Sequence, residues 1–377
     1  MTGYVLAGGA VAAVCGAATL AIWLGYPLLI RLLGTSRRRR QATLPPWETA
    51  PTVSVILATR EPPEAVADRV RNLLDTSHPS DRLQVVVSID AAADPVAYAQ
   101  DDARVRVVLG DAPGGKWANL NAGVRAATGE VLVFADSAQR FDRGTISALL
   151  APLAPEVRPV MAAVTGWLEL PAGVPAVVRW YWRMERALRR DEATLHSSIG
   201  VTGAVWAMRR TLWAPLPAQV ILDDLYTPMR LVLMGHRIAV SEAAVAHEQR
   251  APVRAAEFQR KVRTLTGVFQ VCAFLPGVLQ LRRNPVWAQF VAHKLLRLTT
   301  PWLVLAGGAG TAVALGAALW EWFGARGVVL AAGVLAAGAV LRPVRAMARQ
   351  VFDALHLQFA ALRAAQNAAR GRWDVWR

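Results

Sequence analysis

Val53-Ser54-Val55-Ile56-Leu57-Ala58-Thr59-Arg60-Glu61 opens the stretch, running to Asp136, that decides the fold. Its first six residues are apolar or small and rich in β-branching, the pattern of a strand buried in a parallel sheet. A helical pattern follows over residues 64–74. Leu83-Gln84-Val85-Val86-Val87-Ser88-Ile89 repeats the strand signal and stops on Asp90. A shorter run covers 105–109 and a helix is predicted over 118–127. Val131-Leu132-Val133-Phe134-Ala135 then closes on Asp136. Strands alternating with helices predict a parallel α/β sheet. Ligands of such sheets collect beyond the carboxyl ends of the strands, where Thr59, Glu61, Asp90 and Asp136 are expected.

Apolar sequence lies on both sides of this region. Residues 4–33 form a run long enough to span a bilayer, which takes about 20 residues. A signal peptide would have a shorter apolar core preceded by positive charge; here Arg37, Arg38, Arg39 and Arg40 follow it. By the positive-inside rule those arginines face the cytoplasm. Residues 295–320 and 327–341 read as two further spans, and 350–369 as a more polar interfacial helix. The expected organisation is therefore a transmembrane helix (1–34), a basic, Pro-containing linker (35–50) and a cytoplasmic catalytic domain (51–254). Interfacial helices (255–292), two transmembrane helices (293–345) and an interfacial helix with a basic tail (346–377) complete it.

The chain of 377 residues carries a net charge of +15, with only three lysines, Lys116, Lys261 and Lys294. Much of the excess sits beside apolar segments, as expected of membrane flanks that meet anionic lipid. No nucleic-acid-binding motif accompanies it, so nucleic acid is not an expected partner. Cys15 and Cys272 are the two cysteines, which excludes a disulfide framework and a cysteine-based zinc site.

Several residues have chemistry to offer. Asp136, at a strand end, suits Mg2+ or Mn2+, hard cations that bind oxygen and phosphate together; a turn or helix-cap Asp is the plainer alternative. Asp90 and Asp94 are placed to accept hydrogen bonds from a base or ribose. Lys116, between Gly114-Gly115 and a helix start, can contact phosphate, although the Walker pattern is absent. Asp223-Asp224 follows Val220-Ile221-Leu222 and offers a general base. Arg260, Lys261 and Arg263 can hold a diphosphate. Residues 175–192, with Trp180, Tyr181, Trp182 and Arg183, read as an amphipathic surface helix.

In this order the segments resemble glycosyltransferase family 2, in its membrane-integrated branch that includes cellulose-, hyaluronan- and poly-N-acetylglucosamine-synthase-like proteins. Val53–Glu61 is similar to the opening strand and Asn-Glu pair, Asp90-Ala91-Ala92-Ala93-Asp94 to the base-holding segment, and Lys116–Gly123 to Lys-x-x-Ala-Leu-Asn-x-Gly. Asp136 takes the first position of Asp-x-Asp, Gly203–Arg210 resembles the acceptor-side stretch, and Leu222-Asp223-Asp224 resembles Thr-Glu-Asp. Arg260–Thr264 resembles Gln-x-x-Arg-Trp. The resemblance covers about residues 50–300.

It implies a GT-A-type, Rossmann-like catalytic domain inserted between transmembrane helices of the bacterial inner membrane. It implies an inverting, metal-dependent transfer from a nucleoside-diphosphate sugar, in the first instance a UDP-sugar, to a polysaccharide or lipid-linked acceptor. The transferred group would be a hexosyl or N-acetylhexosaminyl unit. Asp224 would be the base, Asp136 the Mg2+ or Mn2+ ligand, and Thr59, Glu61, Asp90 and Lys116 the nucleotide contacts. Arg263 would hold the diphosphate, and Gly203 and Ala204 would face the acceptor. Ala138 replaces the second Asp of Asp-x-Asp, leaving Asp136 and the donor phosphates to hold the metal; it also leaves a catalytically silent, membrane-bound binding subunit as the alternative. Thr264 replaces the Trp that stacks on sugar in processive synthases, which favours another acceptor mode.

Overall fold

The computed structural model describes residues 3–38, 47–155, 160–250, 254–327, 329, 333 and 359–374. In chain order its elements are α1 (Gly3–Leu20), α2 (Tyr26–Arg38), β1 (Val53–Ala58), α3 (Pro63–Leu74), β2 (Leu83–Ile89), β3 (Val105–Leu109), α4 (Lys116–Ala126), β4 (Val131–Ala135) and β5 (Gln139–Phe141). There follow α5 (Thr145–Leu150), β6 (Met161–Glu169), α6 (Ala176–Leu195), β7 (Val205–Arg209), α7 (Asp223–Leu233), β8 (Arg237–Glu248), α8 (Arg254–Phe274), α9 (Trp287–Phe290), α10 (Leu296–Leu298) and α11 (Thr300–Phe323). The chain divides into two compact units. A sheet unit joins Ile30–Arg254, Gln270–Phe290 and Trp373–Arg377; a helical unit joins Met1–Leu29, Ala255–Phe269 and Val291–Arg372.

The sheet unit is built on eight strands in the order β3-β2-β1-β4-β7-β6-β8-β5. β1 runs parallel to both β2 and β4, and β2 parallel to β3. β7 is antiparallel to β4 and β6, β8 is parallel to β6, and β5 is antiparallel to β8. The first three strands are laid down in one direction, after which the chain returns to place β4 on the other side of β1. That reversal opens a crevice beyond the carboxyl ends of β1 and β4, where such sheets bind ligands. The mixed sheet with its covering helices fits a GT-A, Rossmann-like fold.

Both faces of the central strands are buried, which is why they read as unbroken apolar runs rather than alternating ones. Val55, Leu57, Val85, Val87 and Val133 pack with Val66, Val70 and Leu73 of α3 and with Ile146 and Leu149 of α5. On the other face α4 approaches closely: a Cβ on Gly123 would stand 2.9 Å from Ile56 Cγ2. Phe134 of β4 stacks on Trp206 of β7 with centroids 4.1 Å apart.

In the helical unit, α1 runs through a single π turn, Ala21–Gly25, into the continuation of the same rod. Gly3–Thr35 and Thr300–Phe323 are each long and apolar enough to cross a membrane. They correspond to the first two expected spans; the third, 327–341, lies almost wholly outside the described residues, as do residues 39–46, 342–349 and 350–358. The helix over 359–369 is described. α1 and α11 pack antiparallel through glycine. A Cβ on Gly8 would meet Gly310 O at 2.6 Å, and one on Gly310 would meet Gly8 O at 2.7 Å. Farther along, a Cβ on Gly307 would sit 3.1 Å from Cys15 Cβ, and Trp23 Nε1 donates to Thr300 Oγ1 at 3.0 Å. Small residues that bring backbones together are the usual glue of helices in lipid. Gly307→Cys is therefore expected to cross-link to Cys15 on mild oxidation, since bridged cysteines have Cβ atoms about 3.8 Å apart. Cleavage in the 39–46 segment followed by non-reducing electrophoresis checks this: a bridged protein keeps its fragments together.

Candidate active site

The crevice is organised by the residues immediately after β1 and β4. Thr59 N donates to Ser88 O at 2.9 Å, extending the ladder one step past β1. Thr59 Oγ1 accepts from Ser137 Oγ at 2.7 Å and from Glu61 N at 3.0 Å, so one hydroxyl ties the two strand ends together. The Asp136 carbonyl accepts from Arg69 Nε at 3.0 Å. Arg69 is fully buried, bonds Asn72, and lies over the Phe141 ring at 4.4 Å. Burial, with a contribution from Arg140, pushes its pKa down to about 9. The backbone of Asp136 is thus fixed from behind while its carboxylate faces the crevice.

Lys116 is the first residue of α4, entered through Gly114 and Gly115 at φ of 89° and 117°, values that favour glycine. Its ammonium lies 3.3 Å from Asp136 Oδ1 and 3.4 Å from Asp223 Oδ1, with the side chain 26% exposed. Burial alone would lower its pKa, but Asp136, Asp223 and Asp224 outweigh that and hold it above the ordinary lysine value. A raised pKa contributes stability that is lost only as pH rises through the folded value, so Lys116 stays charged across the neutral range. Three carboxylates around one ammonium leave an excess of negative charge, and their hard oxygens are the ligands that Mg2+ and Mn2+ prefer. Among the described residues, no three His, Cys, Asp or Glu side chains cluster as a self-sufficient metal site. Asp136 and Asp223 are the carboxylates nearest Lys116 whose oxygens suit a divalent ion.

Asp223 and Asp224 begin helix α7. An extended segment here would send their side chains to opposite faces; in the first turn of a helix both lie near the site, where the helix dipole favours acidic groups. Asp223 is buried and committed to Lys116. Asp224 lies on the other side: its carbonyl accepts from Val201 N at 2.9 Å, and a Cβ on Gly203 would stand 3.4 Å from its Oδ2. Ala204 is buried and follows Gly203 directly into β7. Gln270 braces the entry to α7, accepting from Ile221 N and donating to Gln219 O, both at 2.9 Å.

Of the remaining expected residues, Asp90 lies just past β2 and Glu61 just past β1. Asp90 is paired to Arg60, Oδ2 to Nε at 2.7 Å. Glu61 is paired to Arg250 at 2.8 Å, and its carbonyl accepts from Tyr98 Oη at 2.9 Å. Arg263 lies on α8 within Ala255–Phe269, a segment of the helical unit. Sequence reasoning placed Asp136, Lys116, Asp224, Gly203 and Ala204 in candidate roles, and the sheet unit brings Lys116 to Asp136 and Asp224 to Gly203. It named Asp223 only as the neighbour of the base in the Asp223-Asp224 pair, not as a partner of Lys116, and it passed over Arg69 behind Asp136 and the pairing of Arg60 with Asp90. Arg69 had one signal, a basic residue at an otherwise apolar helix position, flanked by Val66, Val70 and Leu73.

No curated protein matches the chain. Among solved structures, the mannosyltransferase PcManGT from Pyrobaculum calidifontis, in complex with GDP-Man and Mn2+, is 23% identical; the match covers 96% of this chain and 99% of that one with a TM-score of 0.70. At that identity the likeness is one of fold. Glucosyl-3-phosphoglycerate synthase from Mycobacterium tuberculosis, with Mn2+, UDP and phosphoglyceric acid, matches at 17% identity over 61% of this chain and 83% of that one, TM-score 0.41. TarS 1-349 from S. aureus matches at 17% identity over 70% and 89%, also at 0.41. The family pattern for glycosyltransferase-like family 2 matches residues 50–267, more than half of the chain, so this protein belongs to that family of glycosyltransferases.

Proposed function

We propose that the protein is an inverting, metal-dependent glycosyltransferase that moves a hexosyl or N-acetylhexosaminyl unit from a nucleoside-diphosphate sugar to a saccharide or lipid-linked acceptor. The observation that carries this is the convergence of Lys116, Asp136 and Asp223 at the switch point of the sheet, with Asp224 beside Gly203. Lys116 is placed to meet the donor diphosphate as a point charge. Asp136, with Asp223 nearby, is the ligand set for Mg2+ or Mn2+, which when bound offsets charge on the leaving diphosphate. Asp224 is the base: it matches the Asp of the family's Thr-Glu-Asp segment and stands next to Gly203, where the lack of a side chain leaves room for an acceptor hydroxyl. Deprotonation there lets the hydroxyl attack the anomeric carbon in one displacement, which inverts its configuration. Orientation and charge stabilisation supply most of the acceleration, because the donor is already activated.

The two apolar helices, packed through glycine and flanked by arginines, support a multi-pass protein of a bacterial inner membrane with a cytoplasmic catalytic unit. In that setting membrane lipids surround the helical unit. Ala138 favours a second reading, a silent family member that binds nucleotide sugars without turnover. Purified protein incubated with a panel of nucleotide sugars separates the two: mass spectrometry detects a glycosylated product, and magnetic resonance reads the inverted anomeric centre.

A further inference from the structure

Leu222 occupies the cap position of α7, and its side chain makes no capping hydrogen bond there. Helices are usually started by Ser, Thr, Asp or Asn at that position, so the local sequence does not fix where α7 begins. The starting point matters, because it sends Asp223 to Lys116 and puts Asp224 beside Gly203. Just upstream, Gln219 has a φ of 62°; among the described residues it is the one residue other than glycine at positive φ. A residue with a side chain holds that left-handed conformation where its surroundings impose it. Here the surroundings include Gln270, which is 1% exposed. Its Nε2 donates to Gln219 O at 2.9 Å, and its Oε1 accepts from Ile221 N at 2.9 Å. One carboxamide thus takes the carbonyl before Val220 and the amide after it, the two bonds that a residue of a neighbouring parallel strand would make. Val220 and Ile221 are themselves buried.

We propose that Gln270 is a positioning residue for the base: by bracketing Val220 it fixes where α7 starts, and so selects which of two adjacent aspartates stands beside Gly203. The inference rests on reading Asp224 as the base and adds what places it. Gln270 acts through the backbone, since Leu222 alone separates its contact at Ile221 from the first residue of α7. Consecutive residues of a helix point about 100° apart. A start displaced by one residue would therefore turn Asp224 away from Gly203 and pull Asp223 off Lys116. Without the Gln270 carboxamide, the Ile221 N–H is left buried and unpaired, and the bond that holds Gln219 in the left-handed region is lost.

A double-mutant cycle on the full-length protein tests this, read by nucleoside-diphosphate release from GDP- and UDP-sugars with Mn2+ and by calorimetric binding of GDP and UDP. Gln270→Met keeps the reach of the side chain and loses both bonds. It is expected to lower kcat about 10–100-fold, since misplacement by about 1 Å can cost about 10²-fold, with nucleoside-diphosphate affinity within a few-fold of wild type. In an Asp224→Asn background the same substitution is expected to change kcat by less than about threefold, because a residue that acts through the base then has nothing to act on. Losses that multiply in the double variant overturn the inference, as does a Gln270→Met enzyme with wild-type kcat. Gln270→Glu serves where the Met variant does not fold. A protonated Glu makes both bonds, whereas a carboxylate sets an oxygen against Gln219 O, so its kcat relative to wild type is expected to climb as pH falls. A ratio that does not rise overturns the inference. Release by wild type with either of these contrary results leaves the reading of the site standing; no release by wild type from any donor removes that reading and this inference together.

Discussion

Asp224→Asn is expected to lower kcat by about 10²–10⁴-fold, the usual contribution of a general base. Donor affinity should stay within a few-fold of wild type, because the lost interaction is made in the transition state. The contrast with Asp223→Asn gives the measurement its force. Asp223 is buried and 3.4 Å from the Lys116 ammonium, so its amide variant removes charge from the centre that meets the donor. It should weaken donor binding and lower the thermal midpoint, with a smaller direct effect on the proton-transfer step. Initial rates beside a donor titration separate the two residues. If Asp223→Asn abolishes turnover with binding intact while Asp224→Asn works normally, the base has been assigned one position too late.

Asp136→Asn should be as damaging by another route. It removes the crevice carboxylate that Arg69 positions from behind and that Lys116 meets from the front. Losing one preorganised charge-stabilising group costs about 10²–10³-fold in kcat. The distinguishing readout is thermodynamic: wild type should bind the nucleoside diphosphate more tightly with Mn2+ than with chelator, and Asp136→Asn should bind it equally in both. A full Mn2+ dependence of binding in that variant would take Asp136 out of the metal site.

The parallel half of the fold was legible because β1, β2 and β4 are buried on both faces, and such strands announce themselves as apolar runs. The antiparallel half was not. β6 and β8 read Met-Ala-Ala-Val-Thr-Gly-Trp-Leu-Glu and Arg-Ile-Ala-Val-Ser-Glu-Ala-Ala-Val-Ala-His-Glu, alanine-rich stretches whose local preference is weak or helical. β6 becomes a strand because β7 and β8 pair with it, and β8 because β6 and β5 do, information that a local window does not hold. The same limit explains the site. Asp136 and Lys116 were visible as chemistry at strand and helix ends, and Gly203 through the family pattern. That Asp223 joins Lys116 while Asp224 turns to Gly203 depends on α7 starting at Asp223 rather than the chain staying extended. The Arg60–Asp90 pairing follows from sheet register, which sequence spacing alone does not give.

The central claim is that this crevice transfers sugar rather than merely holding a nucleotide. The most direct measurement is nucleoside-diphosphate release by the purified full-length protein from a panel of GDP- and UDP-sugars with Mn2+, beside a chelator control and Asp224→Asn. The expected result is release from at least one donor that chelator abolishes and Asp224→Asn lowers by about 10²–10⁴-fold. Tight binding of those donors with no release from any of them, or release that Asp224→Asn leaves unchanged, would contradict it.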